Sequence, residues 1–239
     1  MNIALIGYGK MGQTIERIAE DRGHTIVAVV DEQTETGVAQ LEPQQIDVAI
    51  EFTQPGSAYN NLHECVALGI PVISGTTGWL ERYEELKAYA IKKNGTLLYS
   101  SNFSLGVNLF FKINEHVAKL MDQYSGYGVQ MEEVHHTQKK DAPSGTAITL
   151  AEGIIKNSHR FSSWMNQISD KKEDLPIISK RIDDVPGTHT ISYESAEDEI
   201  TLTHTAHSRQ GFALGAILVA EWIKDKRGVL TMDDFLGFS

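Results

Sequence analysis

The sequence predicts an α/β protein in two parts, a parallel-sheet domain followed by an α+β domain, and three observations predict it. Five short apolar runs rich in β-branched residues recur over the first hundred residues, at 3–6, 25–30, 46–52, 71–74 and 96–99. Several of the stretches between them carry apolar residues at helical rather than alternating spacing. A glycine-rich turn, Gly7-Tyr8-Gly9-Lys10-Met11-Gly12, separates the first run from the first helical stretch.

Strand, helix and strand in repetition imply right-handed crossovers and a parallel sheet. The first helix is read from Met11, Ile15, Ile18 and Ala19 on one face, with Gly23 as its stop. A second is read from Ala58, Leu62, Cys65 and Val66 ahead of Gly69. Cys65 lies on the apolar side of that helix and reads as a small buried hydrophobe; as the single cysteine it excludes an internal disulfide. Residues 32–45 are polar and show no clear period.

After Asn102 the organisation changes. Val107, Phe110, Phe111, Val117, Leu120 and Met121 describe a long amphipathic helix, followed by a strand at 129–135 and a helix through Ala147, Ile148, Ala151, Ile154 and Ile155. Strands at 189–195 and 199–206 flank an acidic turn. The interval 158–187 is too long for a bare loop, so a strand at 175–182 and a helical turn near Trp164 are expected. An apolar helix at 212–223 is expected to return to the first domain. The domains are therefore read as 1–106 with 210–239, and 107–209.

Composition narrows the class. The chain has 239 residues, 41% of them hydrophobic, enough for one large core or two smaller ones. No run of about 18 apolar residues occurs, and the first residues carry neither a basic stretch nor a cleavage site, so a cytoplasmic protein without a membrane partner is expected. The net charge of −11, with no basic stripe interleaved with aromatics, argues against nucleic acid as a partner.

The glycine turn carries the first chemical expectation. In a Rossmann-type dinucleotide domain the first glycine permits a tight turn, the second lets backbone approach a pyrophosphate, and the third lets the helix pack close to its strand. Asp31, at the end of the second strand, stands where an acid accepts from an adenosine ribose hydroxyl. Gly7, Gly9, Lys10, Met11, Gly12 and Asp31 are the first cofactor-binding candidates. The loops after the fourth and fifth strands add Gly75, Thr76 and Thr77, then Ser100, Ser101, Asn102 and Phe103, since ligands sit beyond the carboxyl ends of strands. The plainer alternative for the Gly75 to Gly78 loop is a turn that needs glycine. NADH or NADPH is the implied cofactor. Asp31 followed by Glu32, with no adjacent Arg or Lys, would repel a 2′-phosphate and favours NADH; Lys10 is the one nearby counterargument.

The second expectation comes from Glu133-Val134-His135-His136-Thr137-Gln138-Lys139-Lys140-Asp141-Ala142-Pro143-Ser144-Gly145-Thr146-Ala147. Adjacent histidines in a strand point to opposite faces, so on spacing alone either reads as structural or functional. They lack the i, i+4 spacing and clustered partners of a metal site, and no metal is expected. Gly145 and Thr146 open a helix whose free N–H groups can hold a carboxylate, with the Ser144 or Thr146 hydroxyl as a further donor. Lys140 and Asp141 are read as solvent-facing or loop-supporting.

These segments, with Glu51-Phe52-Thr53-Gln54-Pro55, Gly75 to Trp79, Ser100 to Asn108, Pro186 to Thr190 and Ser208 to Ala216, resemble in order the 4-hydroxy-tetrahydrodipicolinate reductase family. The resemblance runs nearly end to end. This sequence differs in having Glu51 where an aspartate is more usual and Lys10 where arginine is common, and in being short before Glu51 and between Ile155 and Asp184. The resemblance implies nicotinamide-dependent reduction of a cyclic dicarboxylate formed by loss of water, in lysine and diaminopimelate biosynthesis. It implies His135 and Lys139 as catalytic residues, with His136, Ser144, Gly145 and Thr146 binding the substrate. It further implies domain closure over the ligands and a homotetramer built through the sheet of a substrate-binding and oligomerisation domain. His189 reads either as part of that domain's site or as a satisfied structural histidine, and Arg209 as a hinge or positioning residue. The competing readings are a nicotinamide-binding sensor and a reductase of another cyclic imine.

Overall fold

A computed structural model describes every residue except Glu35, Arg209 and Ser239, so the expectation for Arg209 lies outside the described residues. In chain order the strands are β1 (Asn2–Ile6), β2 (Thr25–Val30), β3 (Val48–Glu51), β4 (Val72–Ser74), β5 (Thr96–Tyr99), β6 (Gly128–His135), β7 (Ser163–Met165), β8 (Asp174–Arg181), β9 (Gly187–Glu194), β10 (Glu199–Ala206) and β11 (Gly228–Leu230). The helices are α1 (Lys10–Asp21), α2 (Pro55–Leu68), α3 (Tyr83–Lys93), α4 (Leu105–Met121), α5 (Gly145–Lys156), α6 (Gln210–Ile223) and α7 (Met232–Leu236). The chain divides into two compact units, Met1–Leu105 with Gln210–Ser239, and Gly106–Arg209.

The first unit is a six-stranded sheet in the order β11-β5-β4-β3-β1-β2, parallel throughout. Its central strands are apolar on both faces, as a sheet covered on both sides requires. Ile3 and Leu5 of β1 point into one core with Ile15 and Ala19 of α1 and Ala213, Ile217 and Ala220 of α6. Ala4 and Ile6 point into the other, against Ala58, Leu62 and Cys65 of α2 and Leu86 and Ala90 of α3. Each fully buried Leu or Ile contributes about 1.5–3 kcal/mol, so alternation along one strand fixes the sheet between two helical layers. Among the described residues of 32–45 there are two short 3-10 turns, Val38–Gln40 and Pro43–Gln45, and no strand. The chain therefore returns from β2 to pair β3 with the far edge of β1, which sets the ends of β1 and β3 side by side. Cys65 is fully buried, and burial pushes its thiol up, out of the reactive range.

The second unit holds a mixed sheet in the order β10-β9-β6-β8-β7. β6 pairs antiparallel with β9 and parallel with β8. One face is packed by α4 and α5 around Met131, Leu150, Ile154, Ile177, Ile191 and Tyr193. The other carries Thr188, Thr190, Thr203 and Thr205, with cross-strand hydroxyl pairs at 3.3 and 3.2 Å. Two expectations are corrected here. The segment around Trp164 is strand β7, not a helical turn, because Trp164 alternates with exposed neighbours and sends its ring alone toward the core while pairing with β8. Leu120 of α4 is half exposed, since the buried stripe runs through Asn114, Ala118 and Met121 instead.

Candidate active site

In the first unit a cleft of about 380 Å³ opens at the carboxyl ends of β1, β2 and β3, lined among others by Gly7, Tyr8, Gly9, Asp31, Phe52 and Thr53. The glycines differ in what they permit. Gly7 has φ +93°, and a Cβ there would lie 2.1 Å from the Phe52 carbonyl oxygen. A Cβ on Gly12 would lie 2.3 Å from the Gly7 oxygen. Gly9 has no neighbour within 4 Å of a Cβ position, leaving its backbone face open. The start of α1 has no side-chain cap and no acid in its first turn, so the N–H groups contributed by Lys10, Met11 and Gly12 are suited to an anion. Asp31 accepts the Tyr8 N–H at 2.8 Å and the Gln33 N–H at 3.3 Å.

The other candidates of this unit share the same sheet edge but do not line that cleft. The Thr76 hydroxyl donates to Glu51 at 2.9 Å and accepts the Thr53 N–H at 2.8 Å, while Thr77 is exposed. A Cβ on Gly75 would meet the Phe52 ring, so the loop needs a glycine there for packing. Ser100 closes its own turn with Asn102, donating to the Asn102 carbonyl at 2.7 Å, and Ser101 is exposed. Phe103 is 2% exposed and packs on Phe52, so its side chain belongs to the core rather than to a ligand surface. Glu51, fully buried, gathers the Thr53, Ser74 and Thr76 hydroxyls, each of which also receives a hydrogen bond from another group.

In the second unit β6 ends at His135, which is 7% exposed. Its imidazole lies edge-on to that of His189 on the neighbouring strand, with centroids 5.1 Å apart. His189 Nε2 meets the Ser144 hydroxyl at 3.1 Å, and that hydroxyl accepts the Ala147 N–H at 3.2 Å as the N-cap of α5. His135, His189 and the helix start are thus one connected row. Burial, then the neighbouring His135, hold His189 down to about 4, so it is neutral near neutral pH. His136 is partly exposed on the opposite side of the strand end and lines a separate cleft of about 330 Å³ with Thr137 and Asp183. Lys139 extends its ammonium to Asp141 at 2.9 Å, which lowers the Asp141 carboxyl. Gly145 is exposed and Thr146 partly so, leaving their N–H groups available. Ser144, 2% exposed, caps α5 and is the partner of His189. The Ala142–Pro143 peptide is cis.

Glu133, His135 and His189 each bring a ligand-type atom within 4.8 Å of the others, a composition that metals use. Arg181 lies 3.0 Å from Glu133, so a divalent ion would have to settle beside a guanidinium.

Residues 1–103 match the family described as dihydrodipicolinate reductase, N-terminus, and residues 106–236 match dihydrodipicolinate reductase, C-terminus. The chain belongs to the dihydrodipicolinate reductase family. It is 50% identical over 236 residues to the 4-hydroxy-tetrahydrodipicolinate reductase of Christiangramia forsetii, covering 99% of this chain and 98% of that one. It is 35% identical to the enzyme of the same name from Archaeoglobus fulgidus, over 93% of this chain and 87% of the other. Its fold is similar to that of a dipicolinate-bound dihydrodipicolinate reductase from Paenisporosarcina sp. TG-14, with a TM-score of 0.76, 22% identity and 97% of each chain covered.

Within this reductase family fold, three residues near the site escaped the sequence reading. Glu133 and Arg181 flank His135, and Glu51 organises the dinucleotide edge. Glu133 had a usable signal, an acid two positions before His135 and so on the same strand face. Arg181 had none, because only the β6–β8 pairing brings it there.

Proposed function

We propose that this chain catalyses the nicotinamide-dependent reduction of 4-hydroxy-tetrahydrodipicolinate to tetrahydrodipicolinate, as a step of lysine and diaminopimelate biosynthesis. The observation that carries this reading is the row from His135 through His189 to the uncovered start of α5, with Lys139 in the intervening loop. A dicarboxylate ring needs an anion clamp and a proton donor, and this row contains both.

The open Gly9 face, the uncapped start of α1 and the Asp31 carboxylate suit a dinucleotide with a pyrophosphate and a ribose. The reduced nicotinamide, when bound, supplies the hydride. The Gly145 and Thr146 N–H groups hold one substrate carboxylate at the positive end of α5. Lys139 neutralises carboxylate charge and the charge that develops toward the ring nitrogen. His135 delivers a proton to the ring carbon beside the one reduced, help that is typically worth about 10² to 10⁴ in rate. The acidic pair Asp31 and Glu32 favours NADH over NADPH. A homotetramer formed through the threonine-rich sheet face, in the cytoplasm, completes the proposal; that face and the edge strand β10 are surfaces that association would cover.

A nicotinamide sensor is not favoured, because the residues that a sensor could lose are all present. Calorimetric titration with pyridine-2,6-dicarboxylate tests the clamp. Binding that weakens about tenfold or more in Lys139→Ala supports it; equal affinity in the two proteins would count against it.

A further inference from the structure

Glu133, His135 and Arg181 form a buried group that the reading above leaves partly without a task. Glu133 shares a face of β6 with His135 and is fully buried. A carboxylate in such a place is costly unless partnered. Its Oε2 abuts His135 Nδ1, and its Oε1 lies 3.0 Å from the Arg181 guanidinium. These are charge contacts, without the alignment of regular hydrogen bonds. Burial opposes ionisation of Glu133, yet its interactions with His135, Ser179 and Arg181 outweigh that and hold the carboxyl at about 2.

An ionised carboxylate can only accept, so the imidazole nitrogen that faces it carries the hydrogen. That leaves Nε2 as the atom free to exchange a proton. Nε2 is the nitrogen turned toward Gly187, where a Cβ would come within 3.0 Å of it. Arg181 reaches further: its Nε donates to the Lys139 carbonyl at 3.2 Å and its Nη2 to the Asp141 carbonyl at 2.6 Å. The next residue, Ile182, donates its N–H to the His135 carbonyl at 2.8 Å. One guanidinium therefore touches the partner of His135 and the backbone on both sides of Lys140, in the loop that carries Lys139.

We propose that Glu133 and Arg181 are positioning residues for the reduction, Glu133 presenting His135 with Nε2 as the proton-delivering nitrogen and Arg181 tying that histidine to the Lys139 loop. The inference rests on the reading of His135 as the acid. In the step, the Nε2–H bond of the imidazolium breaks as a C–H bond forms on the ring, the neutral imidazole keeps its Nδ1–H toward Glu133, and solvent returns a proton to Nε2. The titratable and charged groups around the pair are Arg181 from β8, His189 from β9, His204 behind it on β10, and Lys139 and His136 from the loop. His189, neutral and bonded to Ser144, does not compete for the role.

Glu133→Gln makes the test sharp. A glutamine has one oxygen, which Arg181 would claim, turning its NH₂ toward Nδ1 and forcing the hydrogen onto Nε2 in the neutral ring. Nitrogen-15 spectra of the intact protein, with His135 assigned through His135→Asn, should show Nδ1 protonated in the neutral wild-type ring and Nε2 protonated in the variant. Turnover of the variant should fall about 10²-fold, with affinity for pyridine-2,6-dicarboxylate held within about twofold. Arg181→Lys should leave the wild-type tautomer intact while weakening that affinity about three- to tenfold through the loosened loop; if Glu133→Gln does not fold, this variant and the wild-type spectra still decide. A neutral wild-type ring protonated at Nε2, a Glu133→Gln enzyme with near-normal turnover, or unchanged affinity in Arg181→Lys would overturn the proposal. A wild-type protein that binds but does not turn over would refute the functional reading instead, and the tautomer would still be read from the spectra.

Discussion

The Asp31 carboxylate accepts the Tyr8 backbone N–H at 2.8 Å, so the acid at the end of β2 also braces the middle of the glycine turn. Two properties therefore ride on one residue. Asp31→Asn keeps an oxygen for Tyr8 but removes the charge that would repel a 2′-phosphate. The ratio of kcat/KM for NADH over NADPH should fall by about tenfold, mostly through a lower KM for NADPH. Steady-state kinetics with both cofactors checks this, and a wild-type enzyme that strongly prefers NADPH would show that Asp31 does not select.

Glu51 makes a second prediction, on stability. It is fully buried and accepts from three hydroxyls at the ends of β3 and β4. Glu51→Ala leaves those donors facing a void, at about 1–3 kcal/mol for each group left unsatisfied. Urea unfolding should show a loss on the order of 3 kcal/mol, and Glu51→Asp should recover part of it. Full wild-type stability in the alanine variant would mean that the hydroxyls find other partners.

His189 predicts a pH dependence. Burial keeps it neutral in the folded protein down to about 4, whereas in the unfolded chain it titrates at its ordinary value of 6.5. Between those values the unfolded state binds the additional proton, so the stabilisation is complete above pH 6.5 and is lost as pH falls toward 4. The size is about 3 kcal/mol, from the rule that one pK unit is about 1.4 kcal/mol. Unfolding of wild type and His189→Asn should converge as pH is lowered through that window. Glu133 adds a separate loss only at lower pH, from 4.5 toward about 2. Parallel curves for the two proteins from pH 7 to 4 would contradict the assignment.

The parts of the fold set by local pattern were legible in the sequence. The glycine turn, the cap at Gly69 and the α5 start at Ser144 are each written within a few adjacent residues, and each has the expected place. Chemistry that depends on pairing between distant strands was not. Arg181 reaches Glu133 only because β8 runs parallel beside β6, and His189 reaches Ser144 only because β9 flanks the other side. A hydroxyl at a helix start such as Ser144 can serve as a cap, as a ligand contact or as both, and local sequence does not separate these roles. Strand β7 is hidden around Trp164 because three residues are too few to display its alternation. β11 and α7 are too brief to show a period, and the one local signal of α7 is the capping box formed by Thr231 with Asp234.

As a 4-hydroxy-tetrahydrodipicolinate reductase, this chain passes reducing equivalents from a nicotinamide to a cyclic dicarboxylate. The most direct measurement is the loss of reduced-nicotinamide absorbance when purified protein is given NADH or NADPH and substrate generated from pyruvate and aspartate semialdehyde. Rapid oxidation that requires the substrate and collapses in both His135→Gln and Lys139→Ala is expected. Absence of oxidation with either cofactor, from a folded protein that binds both ligands, would contradict it.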